Sequence, residues 1–126
     1  METKQKTYDI NGIKSLNDCI NFIVDETGES EEFAEWILKK EDDATIDAHL
    51  SIGQWLRNIL ELWYNGPPTK YFNEMGIYHA DDISDIILTS THRRYNNLPL
   101  KLDEEITEKR KYWQQHNSKI NEGVMQ

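Results

Sequence analysis

Apolar residues recur along this chain at intervals of three and four, the spacing that places side chains on one face of a helix. Leu16, Cys19, Ile20, Ile23 and Val24 follow it strictly. Ser15 offers its hydroxyl to a free backbone N–H and Asp18 stands three residues on, so a capped helix is predicted from Ser15 to a stop at Thr27-Gly28. A second helix is predicted from Ser30-Glu31-Glu32, where carboxylates suit the positive end of the helix dipole. Phe33, Ala34, Trp36 and Ile37 supply its buried face, and Lys39 and Lys40 its last turn. Glu41-Asp42-Asp43 reads as an acidic loop, with Asp43 or Thr45 capping the helix after it.

The broadest stripe lies within residues 46–64, where Ile52, Leu56, Ile59, Leu60 and Trp63, widened by Trp55 and Leu62, predict one long central helix. Gly53 lowers its helix propensity, and a glycine there implies close approach of a neighbouring helix. Gly66 is expected as a left-handed cap, and Pro67 and Pro68 forbid continuation. Thr69 is expected to cap a short helix burying Phe72 and Met75, stopped by Gly76, with Ile77 folded back onto it. His79 or Asp81 then caps a fifth helix whose Ile83, Ile86, Ile87 and Ser90 face inward, ending at Asn96-Asn97. A last helix from Asp103 carries a thin stripe of Ile106, Trp113 and Ile120, with Leu102 as a hydrophobic staple. No segment alternates with period two. The expectation is an all-α fold, an irregular single-domain bundle of five to six helices over residues 15–120, with a flexible segment at 1–14 and a frayed tail at 121–126.

Composition changes this picture in two ways. Hydrophobic residues make up only 37%, but four Trp, six Tyr and three Phe bury much area per residue, so a core remains credible. The formal net charge of −9 opposes nucleic acid and anionic membranes, and suits either plain solubility or a basic partner. Cys19 is the only cysteine, so an internal disulfide and zinc sites of the CxxC kind are excluded. With no signal-peptide pattern and no apolar run of membrane length, the chain reads as soluble and cytoplasmic. Signal-independent secretion stays open.

Three polar constellations bear on chemistry. His79, Asp81, Asp82, Asp85 and His92 have the donor types of a divalent metal site, but acids in a first turn and a capping histidine explain the same pattern. No metal or cofactor is expected. Arg57, Asn58, His79, Asp82, His92 and Arg93, with Glu61 and Arg94 nearby, are the candidate lining of a pocket for an anionic ligand. The plainer reading has Arg57 paired with Asp81, Asp82 or Asp85, locking two helices together. Thr89, Ser90 and Thr91 lie near His92 in sequence but point in different directions on a helix, and no nucleophile elbow is present, so catalysis is the less favoured class.

The stretch Trp55-Leu56-Arg57-Asn58, Tyr71-Phe72, Gly76-Ile77-Tyr78-His79-Ala80-Asp81-Asp82 and Ser90-Thr91-His92-Arg93 resembles a family of small bacterial proteins catalogued only as a domain of unknown function. The resemblance covers about the middle third of the chain and extends loosely to its ends. Relatives tend to carry proline where this chain has Ala80, which removes one helix-start signal. The resemblance implies a bacterial origin and no particular chemistry.

The expected role is therefore a protein-binding module of the immunity, inhibitor or adaptor kind. Tyr64, Tyr78, Tyr95, Tyr112 and Trp113 are the candidate anchors, and Glu29-Glu31-Glu32, Glu41-Asp42-Asp43 and Asp103-Glu104-Glu105 the steering charges. The alternative is a small-ligand binder or enzyme around Arg57 and His92. Self-association through the aromatic stripe of the last helix is also open.

Overall fold

The computed structural model describes residues 12–50, 52–62 and 66–124, with the side chains of 49, 50 and 116–124 left aside. Every regular element among these residues is helical: α1 Leu16–Thr27, α2 Glu31–Leu38, α3 Glu41–Leu50, α4 Ile52–Ile59, α5 Pro67–Asn73, α6 Ala80–Tyr95 and α7 Leu102–Val124. The all-α expectation holds. The number of helices is seven among the described residues, one more than the upper expectation, because the predicted central helix is two. The expectations for residues 1–11, Trp63, Tyr64, Asn65 and the Ile120 side chain lie outside the described residues.

The N-terminal half begins as the residues dictate. Ser15 and Asp18 form a reciprocal capping box at α1, and Ser30 accepts from the Phe33 N–H at 3.0 Å to start α2. Three details differ from expectation. Lys39 stands after the last turn of α2 in extended backbone, and Ala34 is exposed. Glu41, Asp42 and Asp43 are no loop: they form the first turn of α3, where the dipole stabilises their charge.

The break before α4 has a packing cause at Gly53. A Cβ there would stand 2.9 Å from the Ala48 carbonyl oxygen and 2.9 Å from Arg57 Nη1, so a side chain would collide with the end of α3. The close neighbour is thus α3 itself. The helix also ends early. Glu61 takes φ +54°, and the Leu62 and Glu61 N–H groups donate to the Arg57 and Asn58 carbonyls in a Schellman closure. Ile59, expected inside, is 45% exposed as a result, whereas Leu60 and Leu62 are buried. Gly66 has φ −77° and precedes α5 as its N-cap, with Pro67 and Pro68 in the first turn; it is not the left-handed cap of the helix before it. Thr69 sits inside α5, its hydroxyl 3.5 Å from the Leu62 carbonyl oxygen. Gly76 (φ +89°) closes α5, and Ile77 folds back and is buried, as the pattern predicts.

α6 is the hub, touching each of the other six helices. Ile83, Ile86, Ile87 and Leu88 are buried, and so are Ser84, Thr89, Ser90, Thr91 and His92. Two of the small hydroxyl residues on this enclosed helix return a hydrogen bond to their own helix, whereas Ser90 Oγ has no partner among the described residues. Ser84 donates to the Asp81 carbonyl at 3.0 Å and Thr91 to the Ile87 carbonyl at 2.8 Å. Around α6 the core closes with Cys19, Ile20, Ile23, Phe33, Trp36, Leu56 and Phe72. Phe22 stacks on Trp55 at 5.8 Å, and the Trp36 indole donates to the Ala44 carbonyl at 2.8 Å. No helix of the described residues is long and apolar enough to cross a membrane.

Candidate functional site

The six residues proposed as one polar pocket are distributed over three parts of the molecule. Arg57 is buried, donating to Ser84 Oγ at 3.0 Å with its Nε 3.3 Å from Asp81, and so locks α4 to α6. Asn58 is exposed beside it. Arg93 hydrogen-bonds Glu41 and the Leu100 carbonyl, with Glu105 3.6 Å away, and so ties α3, α6 and α7 together. The Glu41 hydrogen bond holds the Arg93 guanidinium above its ordinary pKa, and burial raises the Glu105 carboxyl. His92 is buried edge-on to Trp36 at 5.1 Å, and neither ring nitrogen has a partner. None of these four lines either of the two hollows beside His79.

His79 and Asp82 do come together, with Trp113. His79 caps α6, its Nδ1 accepting from the Asp81 N–H at 3.1 Å. Its ring stacks on the Trp113 indole at 5.6 Å and 17°. The Trp113 Nε1–H donates to Asp82 Oδ2 at 2.6 Å, and Tyr112 stands edge-on to Trp113 at 5.3 Å. One turn earlier Lys109 bonds Asp85 at 2.6 Å. Burial pulls the Lys109 pKa down, but the Asp85 bond and neighbouring carboxylates outweigh it, and the net shift is upward. These bonds fasten α7 across the start of α6.

The crossing leaves an open surface on either side of the His79–Trp113 stack. One side is a hollow of about 530 Å³ bordered by Asp81, Asp82, Glu108 and Tyr112. The other is a cleft of about 470 Å³ lined by Gly76, Tyr78, His79, Arg110, Trp113 and Gln114. Tyr78 is 71% and Tyr112 51% exposed. Of the anchors named from sequence, Tyr78, Tyr112 and Trp113 thus meet at one place. Tyr95 lies elsewhere, edge-on to Phe33 at the far end of α6, and Tyr64 is outside the described residues.

Sequence reading missed Glu108, Arg110 and Gln114. A signal existed: on a helix, Arg110, Trp113 and Gln114 share a face. It carried no weight without knowing that Gly76 lies opposite. Cys19 has no part in this chemistry, since burial pushes its thiol up to about 12. No cluster of three His, Cys, Asp or Glu side chains suited to a metal ion occurs among the described residues.

Comparison with curated proteins and with solved structures returns no match. The model of the family described as Domain of unknown function (DUF6794) matches residues 14–95, from the start of α1 to the end of α6. One wall of the crossing, Gly76 to Asp82, lies inside that match, and the other, on α7, lies beyond it. With well over half its length matched, the chain belongs to the family described as Domain of unknown function (DUF6794).

Proposed function

We propose that this protein is a binding module for another protein, an immunity-, inhibitor- or adaptor-like role in a bacterial cytoplasm, and that it docks a basic partner where α7 crosses the start of α6. The observation that carries this is the convergence of exposed Tyr78 and Tyr112 with the stacked His79–Trp113 pair, beside Asp81, Asp82 and Glu108. Aromatic side chains offer large contact area at small entropic cost and dominate interface energies. Carboxylates at the rim, in a chain of net charge −9, attract and orient a cationic surface. The alternative, a small-ligand binder or enzyme around Arg57 and His92, draws less support. Arg57 is engaged by Ser84 and Asp81, and His92 is enclosed against Trp36.

The test is capture from the source cells at low salt with tagged full-length bait, comparing the natural chain with a Tyr112→Ser, Glu108→Lys double variant. Both positions are exposed, so the variant is expected to keep its helical circular dichroism. The natural chain should retain a partner in constant ratio, and the variant should lose it. Retention of the same partner by both, or no partner on either, overturns the proposal.

A further inference from the structure

We infer that the cleft on the Tyr78 side of the His79–Trp113 stack binds a carboxylate carried on an aromatic or apolar body, with Arg110 recognising the charge. This goes beyond the docking role and does not depend on it. The cleft, at about 470 Å³, falls within the range of small-ligand sites, roughly 300–1,000 Å³. Its described lining combines the rings of Tyr78, His79 and Trp113 with the Gln114 amide and the Arg110 guanidinium, and includes no carboxylate. In a chain with 23 acidic residues such a wall is unusual.

Arg110 stands apart from the other arginines. Arg57 donates to Ser84, Arg93 to Glu41 and Arg94 to Asn17. Arg110 makes no hydrogen bond or ion pair among the described residues. The cause is local: the residues one turn away on α7 are Ile106, Thr107, Trp113 and Gln114, none of them acidic. The side chain, exposed to solvent, lies against Gly76. A Cβ on Gly76 would lie 2.8 Å from Arg110 Nε and 3.0 Å from Cδ, so the side chain rests on bare backbone that only a glycine exposes.

The planar guanidinium fork matches a carboxylate in two parallel hydrogen bonds, and the rings accept an apolar body beside it. One cation offsets one negative charge. A dianionic phosphate would bring a second, uncompensated charge into the field of a chain at −9.

The test titrates N-acetylphenylalanine, its uncharged amide and inorganic phosphate into the full chain, following the Trp113 indole N–H by nuclear magnetic resonance, assigned with Trp113→Phe. The carboxylate is expected to bind about tenfold more tightly than the amide or phosphate. That preference should vanish in Arg110→Gln and persist in Lys111→Gln, where an equal charge is removed from the next, exposed position. A hexapeptide ending in the same phenylalanine separates the sources: tighter binding of the peptide assigns the site to a chain end, and tighter binding of the free acid to a small molecule. Equal binding of acid and amide, tighter binding of phosphate, a preference that survives Arg110→Gln, or no saturable shift with any probe overturns the inference. The partner capture described above is read separately, so either proposal falls without the other.

Discussion

At the scale of single residues, three backbone positions show where conformation and side chain agree or conflict. Gly76, Asn97 and Glu61 all adopt positive φ in Schellman closures, after α5, α6 and α4. Glycine does so without penalty and asparagine at little cost, whereas glutamate carries the Cβ strain of the left-handed region. Glu61 is exposed, so its side chain brings little in return. Glu61→Gly is therefore expected to raise stability by about 1 kcal/mol, read as a higher urea midpoint at unchanged slope. Asp18 makes a second case. Its carboxylate accepts the Lys14 and Ser15 N–H groups, which holds its pKa below the ordinary 3.8. A depressed acid contributes stability that is present above the ordinary value and is lost as pH falls through the folded one. Asp18→Asn should thus cost about 0.5–1 kcal/mol near neutral pH, and the difference from the natural chain should close as pH drops below 3.8.

At the scale of elements, the break between α3 and α4 is the most instructive. Gly53 stands 2.9 Å, measured from an ideal Cβ, from a backbone oxygen that cannot swing aside. Gly53→Ala raises helix propensity yet forces α3 and α4 apart. The account expects a net loss of roughly 1–3 kcal/mol by chemical denaturation, where propensity alone would give a gain. The same site marks the limit of reading the sequence. Stripes of three-and-four spacing gave away α1, α2, α5 and α6, since one buried face leaves a one-sided record. Ala48, Ile52, Leu56 and Leu60 hold four-residue spacing across the break, which therefore concealed the turn into α4. Acids at 41–43 looked like a loop because solvated charge is common to loops and to helix starts. The candidate crossing was legible only in pieces. His79 as a cap and Tyr78, Tyr112 and Trp113 as anchors stand in the sequence, but more than 30 positions separate Tyr78 and His79 from Tyr112 and Trp113. Nothing in the spacing of Arg110 reveals that Gly76 supports it.

At the scale of the whole molecule, α6 takes up most of the packing that the other helices offer, and most charge, the buried Arg57 excepted, is left to the outside. A net −9 with carboxylates beside the aromatic surface predicts an association rate with a basic partner that falls roughly tenfold or more from low to high salt, with a smaller change in dissociation rate. Stopped-flow mixing of the captured pair measures it, and a salt-independent rate would remove electrostatic steering from the account. The proposed docking place is where α7 crosses the start of α6. Hydrogen–deuterium exchange of the chain, alone and in complex with its captured partner, tests this most directly. The account predicts that slowing on binding concentrates at residues 76–82 and 108–114. Slowing confined to α2 and α3, with those two segments unchanged, would contradict it.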